Sequence, residues 1–106
     1  RILLQDPEPM VVAEAIHALR RSPLPLTPEE VSGLVAVFSN QVLPKLEANL
    51  AYAGLLLLKD KPLGAGSAFA ADLFSRVLAI PDLPFPREVK ALAREVIRQW
   101  VLPNGD

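Results

Sequence analysis

Hydrophobic positions recur along the chain with the 3.6-residue period of helices, and no stretch alternates with period two for long enough to make a half-buried strand. Five apolar-periodic segments result. The first places Val11, Val12, Ala15, Ile16 and Leu19 on one face and ends near Arg20 and Arg21, before Ser22-Pro23. Asp6 is its expected N-cap and Pro7 its expected first helical residue, where a missing N–H costs nothing. The second opens on Thr27-Pro28-Glu29-Glu30 and continues through Val31, Leu34, Val35 and Phe38. That opening is a capping-box pattern, in which the threonine oxygen and the Glu30 carboxylate each take a backbone N–H that has no partner inside the helix. The third runs from about Pro44 to Lys59 and is apolar on nearly all sides in its second half, which makes it the central element of the packing. The fourth follows Gly64-Ala65-Gly66-Ser67 and spaces Ala70, Leu73, Phe74 and Val77 helically, with Asp72, Ser75 and Arg76 opposite. The fifth starts at Pro86 and lines up Val89, Leu92, Ala93, Val96, Ile97 and Trp100. Together they predict an all-α chain of five helices.

Proline placement agrees with these boundaries. The 106 residues include 11 prolines against 5 glycines, and the prolines fall between the periodic stretches or at their first turns. Pro7, Pro28, Pro44 and Pro86 sit where helices are expected to begin, and the others stiffen the turns. A length of 106 residues fits one small domain, and 51% hydrophobic residues are ample for a core. With 22% charged residues and a net charge of −1, the chain is neither a disordered segment nor a strongly basic nucleic-acid arm.

The absence of cysteine removes disulfides, thiol nucleophiles and cysteine-ligated zinc or iron–sulfur sites, and the single histidine, His17, removes His-pair metal sites. The longest apolar run, Leu50 to Leu58, has 9 residues. A membrane-spanning helix needs about 20. No signal-peptide pattern is visible, and the expected location is intracellular, cytoplasmic or nuclear. The opening Arg1-Ile2-Leu3-Leu4 reads as the continuation of something already under way, so a piece of a longer protein is expected.

Self-comparison reveals a period. Val11, Leu50 and Val89 are separated by 39 and 39 residues; four positions on come the small residues Ala15, Gly54 and Ala93, and eight positions on come the large aliphatics Leu19, Leu58 and Ile97. Large, small and large residues on one helical stripe put the small residue where a neighbouring helix must approach closely. The first, third and fifth helices would then be equivalent and the second and fourth their return partners, with units at about 6–44, 45–83 and a partial 84–106. A helix pair about every 40 residues is the period of HEAT and armadillo arrays, so the expected architecture is antiparallel helix pairs stacked as a short α-solenoid.

The stretch from Asp6 to Leu19 resembles the first-helix motif of HEAT repeats of the phycobilisome-lyase type, written loosely as D-P-x-P-x-V-R-x-x-A-x-x-A-L. Asp6, Pro7, Pro9, Val11, Ala15, Ala18 and Leu19 match it. The family's arginine is replaced by Val12, and Lys90 is the basic equivalent in the fifth helix. The resemblance implies a HEAT-like fold and leaves function open; the Asp–Arg ladder common between such repeats lacks its arginine here. A second similarity links Leu26-Thr27-Pro28-Glu29 and the helix containing Ala51-Tyr52-Ala53 to the helical-repeat region of the Fanconi anaemia group E family.

Candidate chemistry is sparse. His17 could serve Ser22 as a base, but its position away from the apolar stripe reads as a solvated surface histidine. Gly64-Ala65-Gly66-Ser67 lacks the Lys-Ser/Thr ending of a phosphate-binding loop and reads as a flexible turn and helix cap. Asp60 and Asp82 have no second ligand at metal spacing, so no metal and no cofactor are expected. One constellation stands out. Arg87, Lys90, Arg94 and Arg98 are spaced 3, 4 and 4, which places them within about 80° of arc on a helix. They form a basic ridge opposite the apolar stripe of the fifth helix, softened on its flank by Glu88 and Glu95; the ridge reads first as a solvated face and second as a docking surface for an acidic protein segment or for phosphates.

These residues favour a protein–protein interaction scaffold and no enzyme, with another protein as partner, through an acidic segment at the ridge. Nucleic-acid backbone binding through the same ridge is the alternative, against which the net charge of −1 argues. A regulatory or helper domain of an enzyme is the second alternative, and no membrane association is expected.

Overall fold

A computed structural model describes residues 7–61 and 68–105 of the chain, with side-chain surroundings defined for residues 7–61 and 70–100. Helix α1 spans Pro9–Arg21. It starts later than the Asp6-Pro7 reading: Pro9, not Pro7, takes the first helical position, and Glu8 is the N-cap, its side chain making no capping hydrogen bond. Asp6 lies outside the described residues. Both prolines of this stretch suit a first turn, and the Glu8 carbonyl, accepting from Val11 and Val12 N–H at 3.1 and 3.2 Å, sets the start at the second. At the other end Arg20 and Arg21 sit in the last turn, where cations favour the partial negative charge of the unpaired carbonyls.

Helix α2 begins at Pro28 and is regular through Val37. Its capping box is formed: Glu30 N–H donates to Thr27 Oγ1 at 3.1 Å, and Thr27 N–H donates to Glu30 Oε1 at 2.8 Å. The helix then widens into a π turn over Phe38–Val42 and finishes with Leu43–Lys45. Pro44 therefore belongs to the end of the second helix, not the start of the third. In a regular α-helix its ring would strike the carbonyl four residues back and leave a hydrogen bond unmade. The wider turn, closed by Leu43 N–H to the Phe38 carbonyl, delivers the chain into Pro44 in another geometry. Leu46 then reverses the chain in the left-handed region, φ 53°, a conformation usually left to glycine.

Helix α3 spans Ala48–Asp60 and has seven buried residues, Leu50, Ala51, Ala53, Gly54, Leu55, Leu57 and Leu58. It is the central element that its composition predicts, flanked by α1 on one side and α5 on the other. Helix α4 (Ala68–Ala79) is extended by a 3₁₀ turn, Ile80–Asp82. It buries Ala70, Leu73 and Val77, with Ile80 following, and leaves Asp72 and Ser75 exposed. The Gly64–Ser67 turn that precedes it lies outside the described residues. Helix α5 spans Arg87–Gly105, with Pro86 immediately before it, and so carries Pro103 inside its last turns instead of in a turn beyond its end. Its apolar stripe faces inward: Val89, Leu92, Ala93 and Val96 are buried, and Ile97 and Trp100 half-buried.

All the regular structure among the described residues is helical. Helices α1, α3 and α5 lie side by side in one row, while α2 packs on α4 in a second row. The fully buried Ile16, Leu34, Phe38, Leu50, Leu55, Leu57, Leu58 and Leu73 fill the core, each worth about 1.5–3 kcal/mol relative to exposure. The radius of gyration is 12.6 Å, close to the roughly 13 Å of a compact domain of this size. The small residue at the middle of the third-helix stripe has a specific use. A Cβ added to Gly54 would lie 2.8 Å from Cε1 of Phe38, so the glycine admits that ring from the second row against the α3 backbone.

Candidate functional site

Because the apolar stripe of α5 is committed to the core, the opposite side of the helix is left to solvent. Arg87, Arg94 and Arg98 are exposed there, and Lys90 is half-buried. None of these four side chains forms an ion pair among the described residues. Glu95 does not soften the ridge as its position suggests, because its carboxylate lies 3.3 Å from Lys59 Nζ of α3. Glu88, the other flanking acid, is about 120° around the helix from Arg94. The ridge is thus a row of guanidinium and ammonium groups able to donate to carboxylates or phosphates.

Two ion pairs brace the row of helices. Arg20 Nε of α1 lies 2.8 Å from Asp60 Oδ2 of α3, and Lys59 of α3 reaches Glu95 of α5. With 33–47% of each of these side chains exposed, the pairs are worth at most about 1 kcal/mol each. Their interest is directional, since each marks the side of a helix that faces its neighbour.

The remaining candidates resolve into structure. His17 is half-buried, and Ser22 Oγ accepts from Leu24 N–H at 3.2 Å, a local turn contact and not a nucleophile–base pair. Asp60 is engaged by Arg20. No group of three or more His, Asp or Glu side chains could hold a metal ion among the described residues, and no helix among them is long and apolar enough to cross a membrane. One polar cluster was not legible in the sequence. Arg76 of α4 donates from Nε to Ser39 Oγ in the π turn of α2 and from Nη1 to Asp72 Oδ1 at 2.5 Å. The i,i+4 spacing announces the second contact; the first requires knowing that α2 and α4 pack together. Lys61 Nζ likewise donates to the Leu24 carbonyl, tying the end of α3 to the loop between α1 and α2. On the far side of α5, Trp100 stacks obliquely on Phe74 of α4, centroids 4.8 Å apart at 57°.

No family model matches the sequence, and no curated protein or solved structure is significantly similar to it.

Proposed function

We propose that the protein is a protein–protein interaction scaffold built from HEAT-like helical repeats. The observation that carries this reading is the order of packing: α1 beside α3 beside α5 in one row, α2 on α4 in the other. Each helix packs against the helix two places further on, as successive units of a helix-pair repeat do. The 39-residue spacing of Val11, Leu50 and Val89 gives the same grouping from the sequence alone. In such a stack, activity consists of shape and surface chemistry: the rows hold side chains at fixed spacing for another chain to dock against.

The test is affinity capture by the full chain followed by cross-linking and mass spectrometry. The scaffold reading expects a stoichiometric protein partner, cross-linked to exposed positions of the α1/α3/α5 row, whose binding leaves the helical circular-dichroism signal unchanged. Failure to retain any stoichiometric protein overturns it. Tight binding to duplex DNA that falls steeply with added salt would replace it by the nucleic-acid alternative.

A further inference from the structure

Three stripes of residues four apart stand in one register. Val12, Ile16 and Arg20 in α1 become, 39 residues later, Ala51, Leu55 and Lys59 in α3, and after a further 39 they become Lys90, Arg94 and Arg98 in α5. Val12, Ile16, Ala51 and Leu55 are each 0% exposed. In α1 and α3 the stripe ends in a cation that reaches the next helix of the row, Arg20 to Asp60 and Lys59 to Glu95. The stripe is therefore the edge on which the row continues: two buried apolar residues and a cation that reaches forward. In α5 the same edge is basic throughout, with Arg94 and Arg98 exposed and Lys90 half-buried.

That substitution pattern decides what can lie against the edge. An apolar helix of the kind that covers α1 and α3 would bury Lys90 and Arg94 where those helices bury Val12, Ile16, Ala51 and Leu55, and burying unpaired charges is strongly unfavourable. A helix with carboxylates four residues apart has the complementary spacing. Its acids would meet Lys90, Arg94 and Arg98 as Asp60 and Glu95 meet Arg20 and Lys59. Neither flanking acid pairs with the ridge among the described residues: Glu95 reaches Lys59, and Glu88 lies about 120° around the helix from Arg94. The net charge of −1 disfavours a long polyanion over a short acidic segment. We infer that the outer edge of α5 is a docking site for an acidic helix of a partner protein, gripped by Lys90, Arg94 and Arg98. The inference rests on the scaffold reading and names its partner's chemistry.

The test is fluorescence anisotropy with the full chain and three labelled probes. One is an alanine–leucine peptide about 20 residues long, helical on its own, with glutamate at three positions four apart along one edge. The others are its lysine twin and a short duplex DNA. The glutamate peptide is expected to bind, and R94E/R98E to weaken it by about tenfold or more, with the lysine twin binding the reversed chain instead. A glutamate peptide that fails to bind below about 1 mM, equal affinity for the wild-type and reversed chains, or DNA that binds more tightly than the peptide and is lost on the same reversal would each overturn the assignment. Circular dichroism confirms that R94E/R98E folds; should it not, the neutral R94Q/R98Q pair takes its place, with a smaller loss of the same sign. A natural partner held equally by wild-type and reversed chains would leave the scaffold reading standing and remove only this edge.

Discussion

Helices α3 and α5 carry the same stripe 39 residues apart, and the two stripes have opposite fates. In α3, Ala51 and Leu55 are sealed and Lys59 reaches across to Glu95; in α5, of the equivalent residues, Arg94 and Arg98 are exposed and Lys90 half-buried. Backbone period alone would make these edges interchangeable. Side-chain chemistry makes one a seam and the other a surface, because a seam must hide its atoms from water and a surface must keep its charges hydrated. At positions 39 residues apart, the side chains present decide which neighbour is tolerated.

Substitutions at equivalent places in the two helices test this contrast. The largest effect is expected from Leu55→Ala, which opens a cavity in the seam and should cost about 2–5 kcal/mol by urea denaturation. Gly54→Ala comes next: the new methyl group meets Phe38, and the strain, about 1–3 kcal/mol, should exceed the gain in helix propensity. Phe38→Leu in the same chain should recover part of the loss, which a purely local backbone effect would not allow. Ala93→Gly, the reciprocal change in α5, should cost about 1 kcal/mol from helix propensity alone, with a small addition for the methyl group lost from a site that is 0% exposed. Lys59→Ala should cost less than about 1 kcal/mol and, because the pair with Glu95 is half-exposed, still less at high salt. Arg94→Ala, at the position equivalent to Leu55, should change stability by no more than about 0.5 kcal/mol. A loss for Arg94→Ala as large as that for Leu55→Ala would erase the distinction between seam and surface.

Much of this arrangement was legible in the amino-acid order because its causes are local. The capping box at Thr27–Glu30 is written in four consecutive residues, and the encirclement of α3 follows from apolar residues on nearly every side of Leu50–Leu58. The basic ridge is likewise a matter of spacing along one helix. What escaped depends on contacts between distant segments or on close competition between neighbours. Pro7 and Pro9 are equally good helix starts by chemistry, and the carbonyl of Glu8 decides between them. Pro44 looks like a beginning until the π turn over Phe38–Val42 lets the preceding helix run into it. The expected approach of a neighbouring helix at Gly54 is instead the approach of one aromatic ring from the other row. For the ridge, spacing located the four cations, but only the pairs Arg20–Asp60 and Lys59–Glu95 identify their edge as the one on which the row continues.

The seat of Phe38 on Gly54 has a mechanical meaning as well. Leu50 and Leu58 lie one turn before and one turn after the glycine, both buried. Sliding α3 along its axis by one turn, about 5.4 Å, would drive the ring into a leucine in either direction. Ring and glycine therefore act as a detent: of the axial settings that a greasy interface between two rows would otherwise tolerate, only one lets the pawl drop.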